Sequence, residues 1–349
     1  MKNRSSELDA RKAYILATVV YEYIMTAEPV GSSTLQHKYD LGVSSATIRN
    51  EMAELEAGGY LVQPHTSAGR IPSDSGYRTY VDQLMQPEQL AASERRRIRD
   101  ELHHASRELG EMIASTTRLL SRFSKNLAFV VAPAAEAQAF RHIQLIWLAP
   151  LSGVAIVMSS MGTASQSVFE LKHEVTADDL TRLSNALNSR LSGKLLREIK
   201  DTEVTSVVDE LKLGADMRAA ILAALRTARS QESPAISAAG AQNLLDQPEF
   251  QDLQKLRSVL RTVEEQKSLY DLVADSFTNE EPTVKIGHEL ASDDVAECSI
   301  VTVPYRFGRH AVGLLAILGP RRMPYGRLMA LASGTAATLS QQLSEVEIN

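Results

Sequence analysis

The sequence predicts an α+β protein that begins with a winged helix-turn-helix, and three observations carry that prediction. Near the N-terminus, two short helical patterns joined by a Gly-containing turn follow a longer one. A strand–turn–strand pattern comes directly behind them. Further along, strand-like runs fall into two groups split by a long, polar, helical stretch, the arrangement of one α+β domain that carries an insertion.

Asp9 can cap a first helix whose apolar residues Tyr14, Ile15, Val19, Tyr23 and Ile24 recur at helical steps, and Glu28-Pro29-Val30-Gly31 stops it. Ser32 or Ser33 can cap a short second helix through Leu35 and Tyr39. Asp40-Leu41-Gly42 reads as a tight turn, and the Ser44 hydroxyl can accept from an otherwise unpartnered N–H of a third helix. On that helix Ile48, Met52 and Leu55 share a face, and Gly58-Gly59 ends it. Tyr60-Leu61-Val62 is then a strand, Thr66-Ser67-Ala68-Gly69 a polar turn and Arg70-Ile71-Pro72 the return strand, which together make a wing behind a recognition helix.

With successive residues ~100° apart on a helix, Ala46, Thr47 and Asn50 lie opposite the apolar stripe and Arg49 at its edge. Asn suits adenine edges, Arg suits guanine or phosphate, and Thr or Ala suits the thymine methyl. The turn offers hydroxyls beside His65 and Arg70 for phosphates or a minor groove. The candidate DNA contacts are Ser44, Ser45, Thr47, Arg49, Asn50, His65, Thr66, Ser67 and Arg70. Thr47, Arg49 and Asn50 fit an ordinary solvated face as well, and the neighbouring Glu51 and Glu54 favour that reading because carboxylates repel phosphate.

Pro87 separates this region from the next segment. From Ser93 to Ser124, residues Ile98, Leu102, Ala105, Leu109, Met112, Thr116, Leu119 and Phe123 alternate four and three apart. A coiled-coil seam is one reading and a long helix packed on the second domain the other. Ala105 and Thr116 are poor seam residues and favour packing. Arg95-Arg96-Arg97 could reach phosphates or simply be solvated. Strands are expected at Leu127–Ala132, Phe140–Leu148, Val154–Ser160 and Ser165–Leu171. A helical block runs from Ala177 to about Asp275, and strands return at Val284–Gly287, Ser299–Pro304 and Ala311–Leu318. A last helix runs from Tyr325 to about Glu345.

Composition narrows the function. The chain has 349 residues, 44% hydrophobic and 23% charged, enough for two or three domains with real cores. One cysteine, Cys298, excludes an intrachain disulfide and fits a reducing cytosol. Met1 to Arg11 is polar, with no apolar signal segment behind it. The most apolar stretch, Phe140 to Met161, contains Arg141, His142, Gln144, Pro150 and Gly153, so no membrane span is expected. These features predict a soluble cytoplasmic protein. The net charge of −6 argues against global attraction to nucleic acid, so DNA binding must rest on a few placed cations. Ser192-Gly193-Lys194-Leu195 lacks the rest of a phosphate loop, and adjacent His103-His104 cannot both face one metal from a helix. No catalytic motif is found, and neither enzyme activity nor a cofactor is expected.

Val43-Ser44-Ser45-Ala46-Thr47-Ile48-Arg49-Asn50-Glu51-Met52, Gln63-Pro64-His65-Thr66-Ser67-Ala68-Gly69-Arg70-Ile71-Pro72, Gly76-Tyr77-Arg78 and Tyr80-Val81-Asp82 closely resemble the HrcA family of heat-inducible transcription repressors. So do Ile286-Gly287-His288-Glu289, Cys298-Ser299-Ile300-Val301 and Gly319-Pro320-Arg321-Arg322-Met323-Pro324-Tyr325 at the far end. The family usually has threonine where Arg321 stands; the segment is expected to lie far from the DNA-binding module, with no consequence. The resemblance implies a GAF-like domain interrupted by an inserted dimerising domain. It implies a homodimer on an inverted-repeat operator in double-stranded DNA upstream of chaperone operons, associated with the nucleoid and kept active by the chaperonin. The expected divisions are 1–86 (winged helix), 87–174 (linker helix and first GAF-like part), 175–275 (insertion) and 276–349 (second GAF-like part). Two alternatives remain. One is a regulator whose GAF-like domain takes a metabolite, although His142, Trp147, His288 and His310 are scattered. The other is an enzyme using the winged helix as an interaction module.

Overall fold

The computed structural model describes residues 8–66, 68–103, 109–135, 138–160, 163–230, 235–307 and 311–348. Helix α1 (Ala10–Thr26) starts where Asp9 Oδ1 accepts from the backbone N–H groups of Arg11 (3.0 Å) and Lys12 (2.9 Å). It ends at Ala27 in the left-handed conformation, φ 58°. Helix α2 (Ser32–Lys38) corrects the capping expectation: Gly31 precedes it without a side-chain cap, and Ser32 is its first helical residue. The Ser32 hydroxyl instead lies 3.0 Å from that of Ser45, the first residue of α3 (Ser45–Ala57), and ties the two helices together. Ser44 caps α3 as expected, accepting from Thr47 N at 3.2 Å, and Gly59 takes φ +81° just beyond its end.

Strands β1 (Leu61–Val62) and β2 (Ile71–Pro72) form an antiparallel hairpin, pairing Leu61 with Pro72 and Val62 with Ile71. Val30 adds a further rung through reciprocal 2.9 Å bonds with Arg70. Helix α4 (Asp74–Thr79) leads away from the hairpin under a Ser73 cap.

The heptad segment is not one helix. Helix α5 (Ala92–His103) and helix α6 (Leu109–Ser124) fold back on each other: Arg122 pairs with Glu101, and the Arg97 guanidinium sits 5.3 Å from the Phe123 ring centroid. In a single straight helix residues 101 and 122 would be about 30 Å apart. The expected packing against the second domain does hold, since Ile98, Leu102, Met112 and Leu119 are buried in the core beneath the last helix. Ala105 lies outside the described residues.

The remaining elements are β3 (Leu127–Val131), β4 (Phe140–Ala149), β5 (Ser152–Ser159), β6 (Ala164–Glu170), α7 (Ala177–Leu191), α8 (Asp201–Glu210), α9 (Gly214–Arg229), β7 (Ile236–Ala239), α10 (Gln242–Leu245), α11 (Leu253–Glu264), α12 (Gln266–Val273), β8 (Thr283–Ile286), β9 (Cys298–Phe307), β10 (Ala311–Pro320) and α13 (Tyr325–Ile348). They make a mixed α+β fold around two further sheets. A five-stranded antiparallel sheet runs β7-β3-β10-β9-β8, and a separate three-stranded sheet runs β4-β5-β6. Period-two alternation explains the layering of the larger sheet. Ala128, Val130, Leu315 and Ile317 face the helices α5, α6 and α13, whereas Leu127, Phe129, Leu314, Ala316 and Leu318 face the segment from α10 to residue 295. Pro304 falls where β9 has a neighbour on one side only, because β8 pairs no further than Thr302.

This sheet order moves the insertion. Strand β7 was not expected, and it returns the chain to β3, pairing Ala128 with Ala239. Strands β4–β6 and helices α7–α9 share a core of their own, from Phe140 to Ala228. The intervening unit therefore covers about 138–230 and not 175–275; the strands at 140–170 belong to it, and the helices after 240 belong to the larger sheet. Gly193, in the segment that lacks the rest of a phosphate loop, donates its N–H to Phe140 O at the end of α7, and Lys194 pairs with Glu203.

The Gly319–Tyr325 segment is not remote from the N-terminal helices. Arg321 Nη1 reaches Asp74 Oδ1 at 2.7 Å, and one continuous core runs from Ile15 on α1 through Tyr77 to Leu343 on α13.

Candidate nucleic-acid interface

Helix α3 buries Ile48, Met52 and Leu55 and turns Ala46, Arg49, Asn50 and Ala53 outward. The division follows from 3.6 residues per turn: residues 48, 52 and 55 sit on one stripe, and 46, 49, 50 and 53 on the opposite side. Arg49 has no ion-pair partner among the described residues. Ser44 is exposed and Thr47 half-buried; their hydroxyls lie 3.0 Å apart within the cap. Ser45 is half-buried, with its hydroxyl engaged by Ser32.

The β1–β2 hairpin carries His65 and Thr66 outward at its turn, and Ser67 lies outside the described residues. Gln63, which sequence reasoning passed over, pins this turn: its Nε2 donates to Thr66 O at 3.1 Å and to Ala68 O at 2.9 Å. Between hairpin and α3 lies a cleft of about 460 Å³, bounded by Arg49 and Met52 on one side and by Gln63, Thr66 and Gly69 on the other. Ser32 and Ser33 close its end.

Arg70 departs from the expected free phosphate contact. Its Nε donates to Glu56 Oε2 at 2.9 Å, and its side chain is only 15% exposed. The backbone bridge to Val30 turns it back against the end of α3, where it braces the hairpin.

The acids that weighed against a nucleic-acid partner are matched locally. Lys12 pairs with Glu54 at 2.8 Å and lies 3.9 Å from Glu51, which also faces Arg11 at 3.7 Å. Hydrogen bonds to Glu54 and then Asp9 push the Lys12 ammonium up to about 12. Glu22 is almost fully buried in α1, where Lys38 pairs with it and the Tyr39 hydroxyl donates to it at 2.8 Å. The Lys38 bond, ahead of the Tyr39 bond, holds the Glu22 carboxyl below its ordinary range against the opposing effect of burial. Burial and the bond to Glu22 push the Tyr39 phenol up to about 12.

Among the described residues no group of three His, Cys, Asp or Glu could hold a metal ion, and no helix is long and apolar enough to cross a membrane. Cys298 is buried, and burial first of all pushes its thiol up to about 12, far from a reactive thiolate.

A family model described as the HrcA protein C-terminal domain matches residues 110–329. The chain belongs to the HrcA family. A heat-inducible transcription repressor HrcA from Pelotomaculum thermopropionicum is 39% identical over 343 residues, covering 97% of this chain and 98% of the relative. Another from Desulforudis audaxviator is 37% identical over 340 residues, covering 97% and 99%. A crystal structure of a hypothetical protein aligns with a TM-score of 0.60 at 22% identity, covering 97% of this chain and all of the other, a likeness of fold alone. The family model covers the five-stranded sheet and the 138–230 unit almost entirely, so membership of the HrcA family does not rest on the N-terminal helices alone.

Proposed function

We propose that the chain is a sequence-specific DNA-binding repressor of the chaperone and chaperonin operons. In this reading α1–α4 with the β1–β2 hairpin form a winged helix-turn-helix that binds an inverted-repeat operator as a homodimer. Helix α3 enters the major groove and the hairpin touches backbone or minor groove. The observation that carries the reading is the outward face of α3: Ala46, Arg49 and Asn50 stand clear of the core beside the hairpin cleft, with Arg49 free of any carboxylate among the described residues.

Dimerisation is assigned to the 138–230 unit. One face of its sheet packs on α7 and α9, while the other exposes Ile146 (41%), Leu148 (53%) and Val168 (67%) beside the polar Gln144 and Gln166. Exposed Ile, Leu and Val side chains on one face of an antiparallel sheet are suited to a second copy. The five-stranded sheet, covered by helices on both faces, is the GAF-like part; it acts as scaffold and takes no obligatory small effector. The protein works in the cytoplasm at the nucleoid. The chaperonin maintains the active fraction, and heat shock lowers it, because two competent chains are needed at each operator.

The test uses duplexes selected by the wild-type protein from a random-sequence library. Asn50→Ala and Arg49→Ala should each lose roughly 1–3 kcal/mol of discrimination between selected and scrambled DNA, with unchanged thermal unfolding. An Asn50→Ala protein that discriminates as wild type does would remove α3 from base reading. Titrating the active fraction with selected DNA before and after a mild heat step, with and without chaperonin and nucleotide, tests regulation. An active fraction indifferent to both, but altered by a dialysable metabolite, would replace the chaperonin account by a ligand-sensing one.

A further inference from the structure

The N-terminal helices are not carried on a free linker. Asp74, at the start of α4, accepts from Arg321 Nη1 at 2.7 Å and from the backbone N–H of His288 at 3.3 Å. Arg321 also pairs with Glu297. One turn further along α4, Arg78 donates Nε to Glu289 Oε1 at 2.9 Å and Nη2 to Val284 O at 2.7 Å. Gly287 is fitted to this contact: it takes φ +55°, and a Cβ there would lie 2.3 Å from Asp74 Oδ2. Tyr77, between the two charged residues, is buried with its ring edge-on to Tyr325 at 6.1 Å. Three segments, around 74–78, 284–289 and 321–325, therefore meet on one seam, the first more than 200 residues from the other two in sequence.

The seam combines two kinds of contact. The tyrosine pair fixes distance through an edge-on ring contact. The ion pairs on either side of it fix direction, because Arg78 grips one carboxylate with two nitrogens and Arg321 bridges carboxylates from both sides. All four charged side chains of the Asp74–Arg321 and Arg78–Glu289 pairs remain 24–40% exposed, so they add modestly to stability. Their effect falls on angle.

We propose that Asp74 and Arg78, through Arg321 and Glu289, are positioning residues that set the angle at which α3 is carried, and thereby the half-site spacing that a dimer accepts. The proposal rests on the dimeric operator-binding reading above. In a two-fold complex the separation of the two α3 helices must match the helical repeat of DNA, about 10 base pairs between half-site centres or a multiple of it. A rotation at this seam displaces α3 without altering any group that faces DNA.

The experiment takes full-length Arg78→Ala/Arg321→Ala and the milder Arg321→Lys. Both are compared with wild type on the selected inverted repeat, on one half-site alone, and on repeats whose spacer grows in single steps through half a helical turn, about 5 base pairs. Half-site affinity should stay within about twofold of wild type, because α3 and the hairpin are untouched. Affinity at the selected spacing should fall about tenfold as a preorganised angle is lost, and the preference among spacers should flatten, with Arg321→Lys intermediate. A double variant that keeps the wild-type spacer profile overturns the proposal, as does an equal loss on half-site and full repeat, which marks a merely structural seam. Wild-type protein that selects no inverted repeat from the library would instead overturn the operator-binding reading itself.

Discussion

Replacing Gly69 by alanine isolates the contribution of the hairpin. A Cβ at this position would sit 2.4 Å from both the carbonyl carbon and the oxygen of Val30, and 2.8 Å from the carbonyl carbon of Pro29. These are backbone atoms in the turn after α1, so no side chain can swing aside. The hairpin must move by about an ångström to reach ordinary contact distance. The contact it leaves is the reciprocal pair Val30 N–H to Arg70 O and Arg70 N–H to Val30 O, both 2.9 Å. At about 0.5–1.5 kcal/mol each, losing them loosens the hairpin by roughly 1–3 kcal/mol. Global stability should change far less, because Ile15, Leu16, Val19, Ile48 and Met52 in the neighbouring core are untouched. Hydrogen exchange should accelerate at Val30 and Arg70 by roughly 5- to 150-fold, the rate equivalent of that energy. Affinity for selected DNA should fall on all sequences alike, leaving discrimination intact. If Gly69→Ala retains slow exchange at both amides, the close approach does not hold the hairpin. If it loses discrimination but not affinity, the division of labour between α3 and hairpin is reversed.

Two further outcomes concern other parts of the molecule. Glu22 has a folded-state carboxyl held below its ordinary range, so it contributes stability above the ordinary value of about 4.3 that is lost as pH falls through the depressed folded one. Protection in peptides from α1–α3, measured relative to the intrinsic exchange rate at each pH, should therefore fall on acidification in wild type and less so in Glu22→Gln. At neutral pH the variant should be about 1–2 kcal/mol less protected, toward the lower end because Lys38 is half exposed; equal acid sensitivity would remove Glu22 as the cause. Ile146→Asp/Val168→Asp places two charges on the outer face of the three-stranded sheet and should sediment as a monomer at micromolar concentration. A persisting dimer would move the interface, most directly to the exposed Tyr14, Tyr21 and Met25 on α1.

What the sequence made legible was local. Asp9, Ser44 and Gly59 announce helix ends because each satisfies or turns the few backbone groups next to it, and Ile48, Met52 and Leu55 announce a face by spacing alone. The outward display of Arg49 and Asn50 comes from the same arithmetic. Strand β7 escaped notice because Ile236-Ser237-Ala238-Ala239 has too little apolar contrast to alternate visibly. Its stability comes from pairing with β3, more than 100 residues earlier. The break between α5 and α6 was hidden because the heptad spacing continues on either side of residues 104–108, and apolar spacing cannot tell one helix from two that fold back. Arg70 looked like a free cation because nothing in its neighbourhood in sequence reveals Glu56 at the end of α3. The seam at Asp74 and Arg321 was illegible for the strongest reason: polar partners 247 residues apart leave no periodic trace.

The charge balance, which opposed a nucleic-acid partner, carries a different meaning once the pairs are known. Lys38 neutralises Glu22, Lys12 and Arg11 face Glu51 and Glu54, and Arg70 neutralises Glu56. The acids on and beside α3 are thus held in local ion pairs, several of them at the surface, with Arg49 as the cation of this region that lacks a partner among the described residues. Such a surface offers little general attraction to a polyanion, so the proposed operator binding must draw on base-edge contacts and on two chains acting together. Each phosphate neutralised adds a slope of about −0.9 to the dependence of log affinity on log salt, so a dimer using Arg49 and one further contact per chain should show only about −3.6. A much steeper slope would mean that the pairs at Lys12, Lys38 or Arg70 open on DNA, or that Lys2 and Arg4, outside the described residues, join the contact. Arg49→Ala then decides how much of the shallow slope belongs to α3, since it should lower the magnitude by about two for the dimer.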